Sequence, residues 1–224
     1  MKYFLRKFSY LFVFAIISCA SSAGSYDDFF RAVRSDNASG VRSLIERGFD
    51  PNTRDEKNQT GLLIALREPS PRVVQVFVDS PKTDVDAVNG SGESPLMMAC
   101  LKGQQDIVAK LLARDAAVNK TGWTPLHYAA TSGQISIMKL LLDKFAFIDA
   151  QSPNGTTPLM MAAMYGSSDA VKLLLEEGAD TAMKNEQGMT AVDFAKRAHR
   201  ESDAAMIAAA AQKKPQALPK EGKW

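Results

Sequence analysis

An all-α solenoid of stacked helix–turn–helix units is the fold class that this 224-residue sequence predicts. The first observation is one phrase written three times: Gly92-Glu93-Ser94-Pro95-Leu96-Met97-Met98-Ala99, Gly122-Trp123-Thr124-Pro125-Leu126-His127-Tyr128-Ala129 and Gly155-Thr156-Thr157-Pro158-Leu159-Met160-Met161-Ala162. The second is its period. Pro95, Pro125 and Pro158 stand 30 and 33 residues apart, and weaker copies at Thr60-Gly61-Leu62-Leu63 and Thr190-Ala191-Val192-Asp193 lie 34 before and 33 after. A fixed period of this length marks a repeat array. The third is that a short and then a more apolar helical pattern follow each phrase.

The copy beginning at Gly122 shows the physical logic. Gly122 suits a turn needing positive φ. Thr124 is a good N-cap, and Pro125 sits at the first helical position, where its missing N–H costs nothing. Leu126, Ala129 and Ala130 follow at helical spacing, Gly133 ends the helix, and Ile135, Ile137, Met138, Leu140, Leu141 and Leu142 form a second one. From Gly155 the plan repeats, with a break at Gly166 and a stop at Gly178. Each unit is too small to bury its own apolar face and must stack on its neighbours.

These residues resemble the ankyrin repeat, whose phrase G-x-T-P-L-H-x-A-A-x-x-G is followed by I-V-x-L-L-L-x-x-G-A-D. The match is close over about residues 88–184 and looser over about 26–211. The resemblance implies paired antiparallel helices, loops projecting as β-hairpin fingers, and a concave face of fingers and first helices that binds other proteins.

In chain order, residues 1–23 read as a secretory signal peptide. Lys2, Arg6 and Lys7 precede an apolar run from Phe8 to Ile17 and the small residues Ser18 to Ala23, predicting cleavage after Ala20 or Ala23. The run is about half of a membrane span, so a retained anchor is a weaker reading. A lipoprotein signal with acylation of Cys19 is a third, because Ile16-Ile17-Ser18-Cys19 loosely fits a lipobox. Residues 25–52 form an N-terminal cap, with Phe29, Phe30 and Val33 on one helix, Val41, Leu44 and Ile45 on a second, and Gly48 as its stop. Repeats follow at about 53–86, 87–119, 120–151 and 152–184, then a C-terminal cap at 185–211. That cap is polar outward at Lys196, Arg197, Arg200 and Glu201, with a last helix from Asp203 to Ala211. The Lys/Pro-rich tail 212–224 has the composition of a disordered segment. The whole of 25–211 is expected to be one continuous array.

Departures from the pattern carry information. The repeat at Thr60 is degenerate: Thr60-Gly61 replaces Thr-Pro, and Arg67 to Pro71 replaces the inter-helix glycine, with Ser70 as N-cap. The finger between Asn119 and Gly122 is three residues short. Asp115 and Phe145 stand where Gly178 stands in a later unit, and phenylalanine tolerates the left-handed conformation poorly. The helix before Phe145 is therefore expected to end differently. Phe147 replaces the usual aspartate.

The resemblance marks the concave positions as the residue after each finger glycine and the pair after Ala-Ala. These are Glu93 with Leu101 and Lys102, Trp123 with Thr131 and Ser132, and Thr156 with Met164 and Tyr165. Met189, Lys196 and Arg197 extend the row. Aromatics, methionine and arginine are common interface anchors, so a protein partner is the expected ligand. The methionine pairs Met97-Met98 and Met160-Met161 are soft donors suited to Cu(I), but a whole repeat separates them, with His127 between. Helices pack about 10 Å apart, too far for a shared ligand set, and the family's histidine at the position of Met97, His127 and Met160 is structural. No metal or cofactor is expected.

Enzyme chemistry finds no motif: there are two histidines, His127 and His199, and no P-loop or nucleophile constellation. Gly90-Ser91-Gly92 belongs to a finger turn. Loss of the leader removes three positive charges and no acid, moving the formal net charge from +2 to −1, which disfavours nucleic acid as a partner. Only Cys100 then remains, a buried small residue by position, and no internal disulfide can form. Asn37, Asn58, Asn89, Asn119 and Asn154 begin Asn-x-Ser/Thr triplets that matter only in a eukaryotic secretory pathway. The reading is an exported, non-enzymatic, monomeric protein-binding module, periplasmic or secreted and free of the membrane after cleavage. The alternative is a secreted effector or toxin-associated protein acting on a host or competitor target.

Overall fold

A computed structural model describes residues 24–212; the expected leader and the tail beyond Gln212 lie outside the described residues. The chain divides into two compact units, Met1–Pro95 and Leu96–Trp224. Helices are the regular structure throughout the described residues, with one isolated antiparallel bridge between Arg54 and Thr60.

In the first unit, residues 24–34 form helix α1, followed by α2 (Ala38–Glu46), α3 (Gly61–Arg67) and α4 (Pro71–Asp79). Phe29 is the hub of the core. Its ring lies 4.5 Å from Phe49 (stacked), 5.1 Å from Phe30 and 6.0 Å from Phe77 (both edge-on). This cluster explains the degenerate phrase: a methyl group at Gly61 would sit 2.5 Å from the Phe77 ring and 3.0 Å from Phe29. Only glycine lets the first turn of α3 approach the rings. Thr60 still caps that helix, accepting from the Leu63 N–H at 3.4 Å.

Ser70 stands at the N-cap of α4, as expected, but its buried hydroxyl makes no capping bond. The cap comes from another helix pair. Asp36, at the α1–α2 corner, accepts from the Val73 N–H and from Arg72 Nε, both at 2.9 Å. Burial pushes the Asp36 carboxyl up, and these hydrogen bonds with the Arg72 charge outweigh it, leaving the pKa lowered.

The second unit contains α5 (Pro95–Leu101), α6 (Gln105–Ala113), α7 (Pro125–Thr131), α8 (Ile135–Asp143), α9 (Pro158–Tyr165), α10 (Ser168–Glu176), α11 (Ala191–Arg197) and α12 (Glu201–Gln212). The first helices pack side by side, α7 on α9 and α9 on α11; the second helices form the other layer, α6 on α8, α8 on α10 and α10 on α12. Leu96, Leu111, Leu126, Ile137, Met138, Leu141, Leu159 and Leu174 are buried between them. Cys100 is buried too, and that burial pushes its thiol pKa up.

One expectation is overturned here. Phe145 ends α8 in the same way as Gly178 ends α10. Its φ is +60°, its N–H donates to the Leu142 carbonyl and the Ala146 N–H to Leu141. Asp115 does likewise at φ +58°. The hydrogen bonds of this closing turn and the apolar residue after it (Ala116, Ala146, Ala179, all buried) fix the geometry whichever side chain is present. Asn119 adds a clamp. Its Nδ2 donates to the Phe145 carbonyl and its Oδ1 accepts from the Phe147 N–H, both at 2.8 Å. Asn52 clamps Lys82 and Asp84 in the same manner in the first unit.

Asparagines also hold the finger turns. Asn89 and Asn185 each accept two backbone N–H groups to hold a finger turn. Counted back from Thr124, Asn119 stands where they do, but its side chain makes the same clamp as Asn52.

Candidate functional site

Three N-terminal caps set the register of the row expected to bind a partner. Thr124 donates its N–H to His127 Nδ1 at 3.1 Å. The same bond in the next repeat runs from the Thr157 N–H to Met160 Sδ at 3.4 Å, and in the last from the Thr190 N–H to Asp193 Oδ2 at 2.8 Å. Imidazole, thioether and carboxylate thus do one job. Because His127 Nδ1 accepts, Nε2 carries the proton and donates to the Thr156 carbonyl at 2.9 Å. Burial lowers the His127 pKa to about 4, more than the Thr156 hydrogen bond raises it. His127 and Met160 are buried, as is Met97 at the same repeat position.

The C-terminal turns of the first helices lie in a row. Ser132 Oγ reaches the Cys100 carbonyl at 3.4 Å, a Cβ at Gly166 would collide with the Ala130 carbonyl, and Arg200 Nη1 donates to the Ala162 carbonyl at 2.8 Å. These contacts bring Leu101 with Lys102, Thr131 with Ser132, and Met164 with Tyr165 into succession. Lys196 and Arg197 close the row in the last turn of α11. Tyr165 is 62% exposed; Lys102, Lys196 and Arg197 are exposed; Leu101, Thr131, Ser132 and Met164 are half-buried. Thr131 Oγ1 donates back to the His127 carbonyl at 2.7 Å.

On the finger side, Trp123 is half-buried, its ring edge-on to His127 with centroids 5.2 Å apart. Met189 is half-buried, and its carbonyl closes the 185–189 turn. Thr156 does not belong to the surface: it is 2% exposed, its N–H bound by Ser152 Oγ and its carbonyl by His127. The position after the finger glycine turns inward there because the side chain is small enough to pack under the loop. Glu93 lies in the first unit, half-buried, with Oε2 accepting from Asn89 Nδ2 at 2.7 Å.

Arg200 also corrects the sequence reading. It is not part of an outward polar face. Its guanidinium lies over the end of α9 and pairs with the buried Asp203 carboxylate at 2.6 Å. Asp203 is correspondingly inside α12, which starts two residues earlier than expected.

Two features were not legible as exposed from the sequence. Phe145 and Phe147 are 84% and 66% exposed; their anomalous identities signalled them, their exposure did not follow from pattern. In the first unit, an open groove of about 630 Å³ is lined by Tyr26, Phe30, Arg34 and Asp55 among others. Arg34 there is already engaged, lying over the Phe30 ring and 3.3 Å from Asp55. No group of three or more metal-ligating His, Cys, Asp or Glu side chains occurs among the described residues, and no described helix is long and apolar enough to cross a membrane.

Comparison with known proteins supplies the family. Residues 29–116 and 62–152 match ankyrin repeats (3 copies), and residues 146–195 match ankyrin repeats (many copies). Similar curated proteins include neurogenic locus notch homolog protein 4 of Homo sapiens, 34% identical over 85 residues, which are 38% of this chain and 4% of that protein. Ankyrin repeat and SAM domain-containing protein 6 of Danio rerio is 34% identical over 83 residues, 37% of this chain and 10% of that protein. The chain therefore spans a small part of the length of either relative.

Proposed function

The chain belongs to the ankyrin-repeat family, and from that premise we propose that it is an exported, non-enzymatic module that binds one protein partner through the row of first-helix ends in its second unit. The observation that carries the proposal is Tyr165, a large aromatic side chain 62% exposed beside half-buried Met164, in a row where α7, α9 and α11 bury their other faces. A tyrosine held on a helix end loses little entropy on binding and offers both ring and hydroxyl. Export rests on the leader composition of residues 1–23, and a periplasmic location on a short Lys-rich leader in a chain without a disulfide framework. The protein is read as a monomer, in which the leucine-rich faces of the helices are buried between its own repeats.

The test is a pull-down from periplasmic extract with wild type, Tyr165→Ala, and Trp123→Ala with Tyr165→Ala. Aromatic anchors each carry on the order of 2 kcal/mol of binding, so the double variant is expected to bind roughly a thousandfold more weakly. Trp123 packs on His127, so its loss also lowers the melting temperature, whereas Tyr165→Ala leaves it nearly unchanged. Partner recovery unaffected by either variant, with an intact circular dichroism spectrum, overturns the assignment.

A further inference from the structure

Resting on that reading of the row, we propose that the partner presents an acidic segment with an apolar or aromatic side chain at its centre. The proposal comes from the distribution of charge over the first helices. α5, α7 and α9 carry no charged side chain at all, and burial keeps the His127 imidazole neutral. The charge of the row sits at its two ends: Lys102 directly after α5, and Lys196 and Arg197 in the last turn of α11. All three are exposed. The one carboxylate on these four helices, Asp193, lies at the opposite end of α11 and is held by the Thr190 N–H and hydroxyl at 2.8 and 2.7 Å. The middle of the row is uncharged: the Thr131 and Ser132 hydroxyls bond back to the α7 carbonyls, and Met164 and Tyr165 follow them.

The second helices differ. α6 and α8 each carry one acid and one base, α10 carries Asp169, Lys172 and Glu176 with the Lys172–Glu176 pair at 3.8 Å, and α12 carries Glu201 and Asp203 and no cation. The first-helix row is cationic at its margins and uncharged at its centre. A carboxylate-bearing segment is the complement of that pattern, and like charge would be repelled by it. Three helix-to-helix steps of about 10 Å separate the α5 and α11 ends. An extended segment of about nine residues spans that distance at about 3.3 Å per residue. Acidic side chains near its ends would meet Lys102 and Arg197, with an apolar one over Tyr165. A cation in a last turn also favours its own helix dipole, so the readout must be binding and not stability.

The experiment selects random 12-residue peptides displayed on phage against the full chain and measures the enriched peptides by fluorescence anisotropy. The expected result is enrichment of Asp and Glu flanking an aromatic or aliphatic residue. Binding is expected to fall at least tenfold on Lys196→Glu with Arg197→Glu, in a variant whose circular dichroism spectrum stays that of the folded chain, and at least tenfold between 50 and 500 mM salt. Enriched peptides that lose binding on Trp123→Ala with Tyr165→Ala but are neutral or basic overturn the acidic class and leave the surface standing. Peptides indifferent to both pairs of substitutions overturn the surface as well. Failure to enrich any peptide overturns the inference that a short segment is recognised.

Discussion

His127 shows how one buried residue couples packing to pH. Its imidazole is fully enclosed and caps α7 while bonding the next finger at Thr156. The folded protein holds it neutral down to about pH 4, whereas the unfolded chain protonates it near 6.5. Between those values the unfolded state binds more protons, so this contribution is complete above about pH 6.5 and is lost as pH falls toward 4. The shift is worth about 3 kcal/mol. His127→Met copies the cap that Met160 makes in the next repeat and should remove that part of the acid sensitivity. Denaturation midpoints of both proteins at pH 7 and pH 4.5 check it, and equal losses would refute it. Phe145 makes the opposite point. It holds a left-handed backbone at φ +60° while exposing 84% of its surface. Left-handed strain costs about 1–2 kcal/mol, and glycine's extra chain entropy returns about 0.5–1 kcal/mol of that. Phe145→Gly is therefore expected to raise stability by about 0.5–1 kcal/mol, read as a shift of the urea midpoint at constant slope.

At the scale of the element, caps and clamps cross from one helix pair to the next. α4 receives its cap from Asp36 at another corner, and Asn119 holds the backbone after α8. Such bonds make a helix depend on its neighbour, as stacking does. Faces then matter more than propensity. Leu141 is fully buried in the second-helix layer and Thr131 is half-buried at the end of α7. Leu141→Asp should lose roughly 2–5 kcal/mol of packing, with a further desolvation cost. Thr131→Asp loses one hydrogen bond to the His127 carbonyl, about 1 kcal/mol. Thermal melts separate the two; similar losses would mean the faces are misassigned. Gly61→Ala belongs to the same scale: with Phe77 2.5 Å from the added methyl, overpacking should cost about 1–3 kcal/mol, a loss visible in the same melts.

For the whole molecule, the proposed export would set both location and charge. Lys2, Arg6 and Lys7 account for the difference between a net charge of +2 and one of −1. Intact mass of the exported protein is expected to lack residues 1–20 or 1–23. A mass that retains them, or that carries a diacylglycerol on Cys19, would replace the soluble periplasmic reading with an anchored one. The division of the chain at Pro95 falls inside the first strong copy of the repeated phrase. The same phrase that predicts the repeats does not mark the boundary.

The recurring Thr-Pro-Leu phrase, by itself, determined the helix pairs, their order and most of the core, because period and N-cap chemistry are local properties of the chain. Gly61 reads as degeneracy in the sequence and as a steric requirement once the Phe29 and Phe77 rings stand against it. Arg200 reads as a surface cation because the α9 carbonyls it meets arrive only when repeats stack, while Asp203, three residues on, holds it there. Thr156 reads as a concave residue because its enclosure comes from the 152–156 turn and from His127 of the preceding repeat. Phe145 reads as a broken helix stop because the hydrogen bonds that enforce its conformation belong to the closing turn and to Asn119, which lies 26 residues earlier. In each case the deciding contact depends on how the chain packs and not on the residue's own type, and only the tertiary structure supplies that packing.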